Sequence, residues 1–240
     1  MTQSTGAVWP SDQIVAESSI DARGDFIRKT YLHLAGAIGA FIVLQVAIFQ
    51  FVDVEAITMT LLGGPYSWLI VLGAFMAVSW LARYWAESST SLGVQYAGLG
   101  LYVVAQAVIF VPILYIASDF YPEANIITTA ALTTIAIFAG LTLVVFVSGA
   151  DFSFLRGALA IGGIAAMALI VLSIVIGFEL GLIFTVAMIA LASGYILYDT
   201  SNIIHHYRIG QHVAASLALF ASVALLFWYV LRLVMAMQRN

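Results

Sequence analysis

Seven stretches of this chain are apolar enough, and long enough, to cross a bilayer core, which takes about 20 residues of helix. They run from Phe26 to Val52, Tyr66 to Ala86, Ser91 to Ala117, Ile126 to Val147, Phe154 to Ile176, Leu180 to Ile204 and Val213 to Met237. Lipid offers no hydrogen-bond partner to a bare backbone, so each stretch is expected to be a helix. Composition agrees. The chain is 63% hydrophobic and 8% charged, whereas a soluble domain is about 45–50% apolar and about 25% charged. The expected fold is all-α: a seven-transmembrane-helix bundle forming one domain over residues 23–240, with the lipid bilayer as its first partner.

Several function classes drop out at once. The chain has no cysteine, which removes disulfide and thiolate chemistry. Its eight Lys and Arg residues form no basic stripe, so no nucleic acid is expected as a partner. Residues 1–22 are polar, with Asp12, Glu17, Asp21 and several serines. They lack the basic start and apolar core of a cleaved signal peptide. They read as a flexible polar tail on the cytoplasmic side.

Charge alternates across the loops. One side carries Arg23, Arg28, Lys29, Arg83, Arg156 and Arg208. The other carries Asp53, Glu55, Asp119, Glu123 and Glu179, and gains basic residues only at Arg232 and Arg239. Cytoplasmic loops collect Lys and Arg. The N-terminus is therefore expected inside and, with an odd number of spans, the C-terminus outside.

Asp199 breaks the apolar pattern. It lies in the sixth run, within Ser193-Gly194-Tyr195-Ile196-Leu197-Tyr198-Asp199-Thr200-Ser201-Asn202-Ile203-Ile204-His205-His206. An ionisable group in a membrane helix costs at least about 2.5 kcal/mol, and such groups usually face a bundle interior or a wet path. Counting the helical rise from the outer end puts Asp199 near the inner edge of the hydrocarbon. Arg83 in the second run falls at a similar depth. An Asp199–Arg83 ion pair sealing a cavity is one expectation, and separate snorkelling to the headgroups is the other.

The remaining polar residues carry weaker signals. His33, near the start of the first run, is a candidate proton relay or an interfacial packing residue. His205, His206 and His212 crowd the loop before the last run. Neighbouring His205 and His206 point to different sides of a helix, so they make a surface cluster more readily than a metal site, which needs three or four converging ligands. Gly36 with Ala40, and Gly162 with Ala166, are spaced for close helix packing. Pro112 removes a backbone donor and is expected to kink the third run. Ser193-Gly194 and Ser148-Gly149 lack the upstream glycine of a serine-hydrolase elbow, because Leu191 and Phe146 stand there. The single Lys, Lys29, opens the first run, where it cannot serve a retinal Schiff base in a late helix. No catalytic chemistry and no cofactor are expected.

The 193–206 segment resembles the penultimate-helix signature of the transmembrane Bax inhibitor family, in its bacterial YccA-like branch. Phe26-Ile27-Arg28-Lys29-Thr30-Tyr31, Asp151-Phe152-Ser153-Phe154-Leu155-Arg156-Gly157 and Ala215 through Leu233 are similar to other parts of the family pattern. The resemblance implies a bundle with the last helix central, surrounded by the other six. Some members are pH-sensitive calcium leak pathways in which two Asp residues, one in each of the last two helices, share a proton. The first of these positions matches Asp199, and the second falls on Ser222. The shared-proton pair is therefore missing, as in the YccA-like branch. Members of that branch are associated with an FtsH-type membrane protease and with stress survival. The resemblance thus implies a bacterial inner-membrane protein that regulates or partners membrane-protein quality control, with the polar tail as a handle for the protease. The alternative it implies is a calcium or cation leak governed by Asp199, Ser222 and Arg83.

Overall fold

A computed structural model describes residues 13–88, 91–121 and 125–238. The chain forms helices α1 (Ile20–Phe51), α2 (Val54–Leu62), α3 (Ser67–Ala86), α4 (Leu92–Asp119), α5 (Ile126–Ser148), α6 (Leu155–Ile176), α7 (Leu182–His205) and α8 (His212–Gln238). Seven of them, all but α2, are long and apolar enough to cross a membrane. The described residues contain no strand, only an isolated antiparallel bridge between Ile14 and Arg208.

Two elements differ from the sequence reading. The stretch after the first span, read as loop, holds α2. Asp53 caps it by accepting the Ala56 N–H at 2.9 Å. At nine residues α2 is too short to span, so a search for bilayer-length runs passes over it. The second difference concerns the segment 1–22. Residues 1–12 lie outside the described residues, but from Gln13 onward the chain is packed rather than loose. Val15–Glu17 form one 3₁₀ turn, Val15 is fully buried, and α1 already begins at Ile20. Backbone bonds to the loop after α7 supply the order that composition does not show.

The last helix takes the middle of the bundle. α8 packs against α1, α3, α4, α5 and α7, while α6 is held mainly by α7. The six surrounding helices of the family pattern are thus five neighbours and one outrigger. α4 shares the interior with α8, burying Tyr102, Gln106, Phe110 and Leu114 among others. Ile70, Trp80, Leu132, Ile161 and Ile183 point outward, where lipid rather than water is the natural solvent.

Between helices in lipid, association rests on close packing and a few polar ties, because the tails are as apolar as the side chains. Gln45 of α1 provides one such tie. It is buried, and its Nε2 donates to the Ala107 carbonyl of α4 at 2.8 Å. That carbonyl lies one turn before Pro112, through which α4 runs unbroken. Bonds of this kind contribute about 0.6 kcal/mol on average.

Gly98 sets the closest approach, between α3 and α4. A methyl group built on it would lie 2.5 Å from the Ala82 carbonyl oxygen and 2.6 Å from the Ala86 nitrogen, both rigid backbone. Gly98→Ala must therefore push the two helices apart, at a cost of about 1–3 kcal/mol. Thermal unfolding in detergent should show a lowered midpoint for Gly98→Ala. Gly73→Ala, where the added methyl meets nothing within 4 Å, should leave the midpoint in place.

Candidate functional site

Asp199 projects from α7 onto α8. Its carboxylate oxygen Oδ2 accepts the Ser222 hydroxyl at 2.5 Å, and the two residues are 8% and 6% exposed. Burial of a carboxyl group this deep is costly without a partner, and a short hydrogen bond to a charged acceptor offsets part of that cost. Asp199 and Ser222, singled out in the sequence, therefore do meet across the α7–α8 contact. Tyr102 of α4, Tyr195 of α7 and Tyr207, in the loop before α8, lie within electrostatic reach of Asp199. Burial pushes the Tyr207 phenol above its ordinary range, and the charge of Asp199 adds to the effect.

Arg83 does not complete the expected ion pair. It is exposed on α3. Among the described residues the ion pairs are Arg28–Asp25, Lys29–Asp25 and His206–Asp151. Arg83 acts on Asp199 through space only. The physical reason is helix order: α3 packs on α4, α8 and α2, so matched depth along the membrane normal did not bring Arg83 alongside α7. The direct partner of Asp199 is the Ser222 hydroxyl, from the central helix.

The histidines separate into different surroundings. The Nδ1 of His33 lies 2.6 Å from the Lys29 carbonyl, so that nitrogen carries the proton. The Nε2 of His33 meets the Tyr96 hydroxyl at 2.9 Å. The His33 ring stacks on Tyr96 and lies 4.9 Å, centre to centre, from the ring of His212. His206 turns to Asp151 at 3.0 Å. His205 points inward, with its Nε2 buried and without a hydrogen-bond partner. Of the expected cluster, His205 and His206 stay neighbours with ring centres 6.1 Å apart, while His212 turns to His33. No group of three or more His, Asp or Glu side chains among the described residues converges as a metal site.

Comparison with known proteins fixes the family. The sequence profile described as "Inhibitor of apoptosis-promoting Bax1" matches residues 23–240. The chain belongs to the Bax inhibitor family. It is similar to Protein LIFEGUARD 4 of Arabidopsis thaliana, with 28% identity over 87% of this chain and 83% of the plant protein. It is also similar to Protein LIFEGUARD 3 of the same plant, with 26% identity over 91% of this chain and 87% of that protein. The family match over residues 23–240 contains Asp199 and Ser222 and begins after the docked segment at Val15.

In this Bax inhibitor family chain a second polar constellation holds the end of α7. Gly149 closes α5 with φ near 60°, a conformation that favours glycine, and its N–H bonds the Val145 carbonyl at 2.9 Å. The chain then enters the loop that carries Asp151. Asp151 Oδ1 accepts the Ser153 N–H at 2.8 Å and the Ser201 hydroxyl at 3.3 Å. Its Oδ2 meets His206. The Ser201 oxygen in turn accepts the Phe152 N–H at 2.9 Å. This is not a hydrolase arrangement, because the serine bonds the carboxylate and not the histidine. It clamps the loop before α6 onto the turn of α7 that follows Asp199. The Asp-x-Ser spacing is a local signal for the first of these bonds. The link to Ser201 and His206 has no signal in the sequence.

The Ser153 backbone bond, helped by the Ser153 and His206 side chains, holds the Asp151 carboxyl at about 2, below its ordinary 3.8. A depressed carboxyl stabilises the fold fully above its unfolded value and loses that contribution as pH falls through its folded value. The stability difference between the wild type and Asp151→Asn should therefore be constant above about pH 5 and shrink between roughly pH 4 and 2. Chemical denaturation in detergent across that range measures it. A difference that persists at pH 2 would contradict the assignment.

Proposed function

We propose that this Bax inhibitor family protein controls a leak of cations, Ca²⁺ among them, across a membrane, with Asp199 as the control point. One observation carries the reading: a carboxyl group sits inside the bundle with a hydroxyl, not a cation, as its direct partner. A structural carboxyl is better served by an ion pair or by several donors. One left with a single hydroxyl keeps oxygen capacity for a passing cation or a proton, and ionisable groups in this position mark ion and proton pathways. Ser222 can hydrogen-bond the carboxylate but cannot share its charge, so the pathway differs from one built on two carboxylates. In the bacterial inner membrane, with the N-terminus cytoplasmic and the C-terminus outside, such a leak would adjust ion load under stress.

Reconstituted protein tests this. Wild type should release Ca²⁺ from liposomes faster than protein-free liposomes do, and Asp199→Asn should change that rate. Ser222→Asp places two carboxylates in contact, which cannot both ionise easily, and should give the flux a pH dependence between pH 5 and 8. Flux equal to that of empty liposomes in all three proteins would remove the leak reading.

A second reading, a regulator or partner of an FtsH-type membrane protease in stress survival, is favoured by the polar stretch that precedes the docked segment. Residues 1–12 would then be the handle. Removing residues 2–12 should abolish co-purification with the protease while leaving Ca²⁺ flux unchanged. Co-purification that survives the deletion would end this reading.

A further inference from the structure

At one end of the bundle α7 finishes and α8 begins. The segment Gln13–Ser18 lies across that end. The Val15 N–H donates to the Tyr207 carbonyl at 2.9 Å, and the Ile209 N–H donates to the Gln13 carbonyl at 3.1 Å. These bonds pair the segment with the α7–α8 loop in the manner of a two-residue sheet. Arg23, one turn into α1, grips it from the other side. Its Nε donates to the Val15 carbonyl at 3.3 Å, and a terminal nitrogen donates to the Ala16 carbonyl at 2.5 Å. The Val15 side chain is 0% exposed and joins the buried cluster that includes Ile203 and Phe26.

What the segment covers gives it meaning. Ile203 lies one turn beyond Asp199 on the same face of α7. Tyr207, bonded through its carbonyl to Val15, has its phenol within reach of the Asp199 charge. Ile203 and Tyr207 therefore stand between the segment and Asp199 along the end of α7. Among the helices the 3₁₀ turn packs mainly on α1 and α7, and α1 has its own cap in Ser19, whose hydroxyl oxygen accepts the Ala22 N–H at 3.3 Å. A short piece held by a few backbone bonds and one buried side chain belongs to the low-stability end of a fold, where opening occurs without global unfolding.

We propose that Gln13–Ser18 is an autoinhibitory strap: docked, it closes the approach to Asp199 from the α7–α8 loop, and released, it opens that approach. The functional consequence rests on the reading of Asp199 as the control point of a cation path. The strap itself rests on the contacts just described.

The chain has no cysteine, so an introduced thiol reports one position. In full-length protein in detergent, Ile203→Cys should react slowly with a hydrophilic maleimide. Combining it with Val15→Asp, which places a charge in the buried cluster, or with Arg23→Ala, which removes both grips, should speed the reaction about tenfold or more. Ala192→Cys, equally buried on α7 but on the far side of Asp199, should stay slow in both backgrounds. Unchanged labelling at Ile203→Cys overturns the strap. Equal acceleration at Ala192→Cys also overturns it, because the segment would then be a general support of the fold. Ca²⁺ flux from liposomes separates the two ideas. Faster labelling with faster flux supports both. Faster labelling with no flux in any variant keeps the strap as a lid over Asp199 and removes the leak.

Discussion

In hydrocarbon a polar group has no solvent to fall back on, so one left without a partner in the protein is costly. That constraint organises the interior of this bundle. Thr30 and Thr134 return their hydroxyls to carbonyls one turn back on their own helices. Gln45 crosses from α1 to a carbonyl of α4. Asp199 has the most to lose from burial, and its hydroxyl donor comes from the central helix. The α7–α8 contact is thus both an apolar interface, through Ile196, Leu226 and Val230, and the only setting in which Asp199 meets Ser222.

Polar ties also hold the ends of the helices. Asp151 ties the loop before α6 to the last turn of α7, and the Gln13–Ser18 segment ties the entry of α1 to the loop after it. Both ties converge on the stretch from Ser201 to Ile209, immediately beyond Asp199. The region around the buried carboxyl is therefore framed by short polar connections, which open more readily than helix–helix packing does.

The legibility of these features in the sequence follows from how local each one is. Span limits were readable because hydropathy is a running property of the chain; the predicted end of the fourth run at Val147 and the observed end of α5 at Ser148 differ by one residue. Asp199 was readable because a lone acid stands out in an apolar run. Ser222 was identified through the family pattern and not by its chemistry, since a serine in a membrane helix is ordinary. The ion pair of Arg83 with Asp199 was not readable because depth along the membrane is a one-dimensional quantity and neighbourhood is not. The packed segment at Val15 was missed because polar composition suggests a free tail, while its order comes from backbone bonds to residues nearly two hundred positions away.

Residue type and the thickness of a bilayer are enough to set the solvent, the all-helical class, the number of spans and the existence of one costly interior carboxyl. Helix packing added that α8 and α4 fill the centre, that α6 stands outside, that Asp199 turns to Ser222 instead of Arg83, and that Val15 is pressed onto the loop beneath it. Those outcomes depend on which helices become neighbours, and that is set by side-chain fit between surfaces distant in the chain.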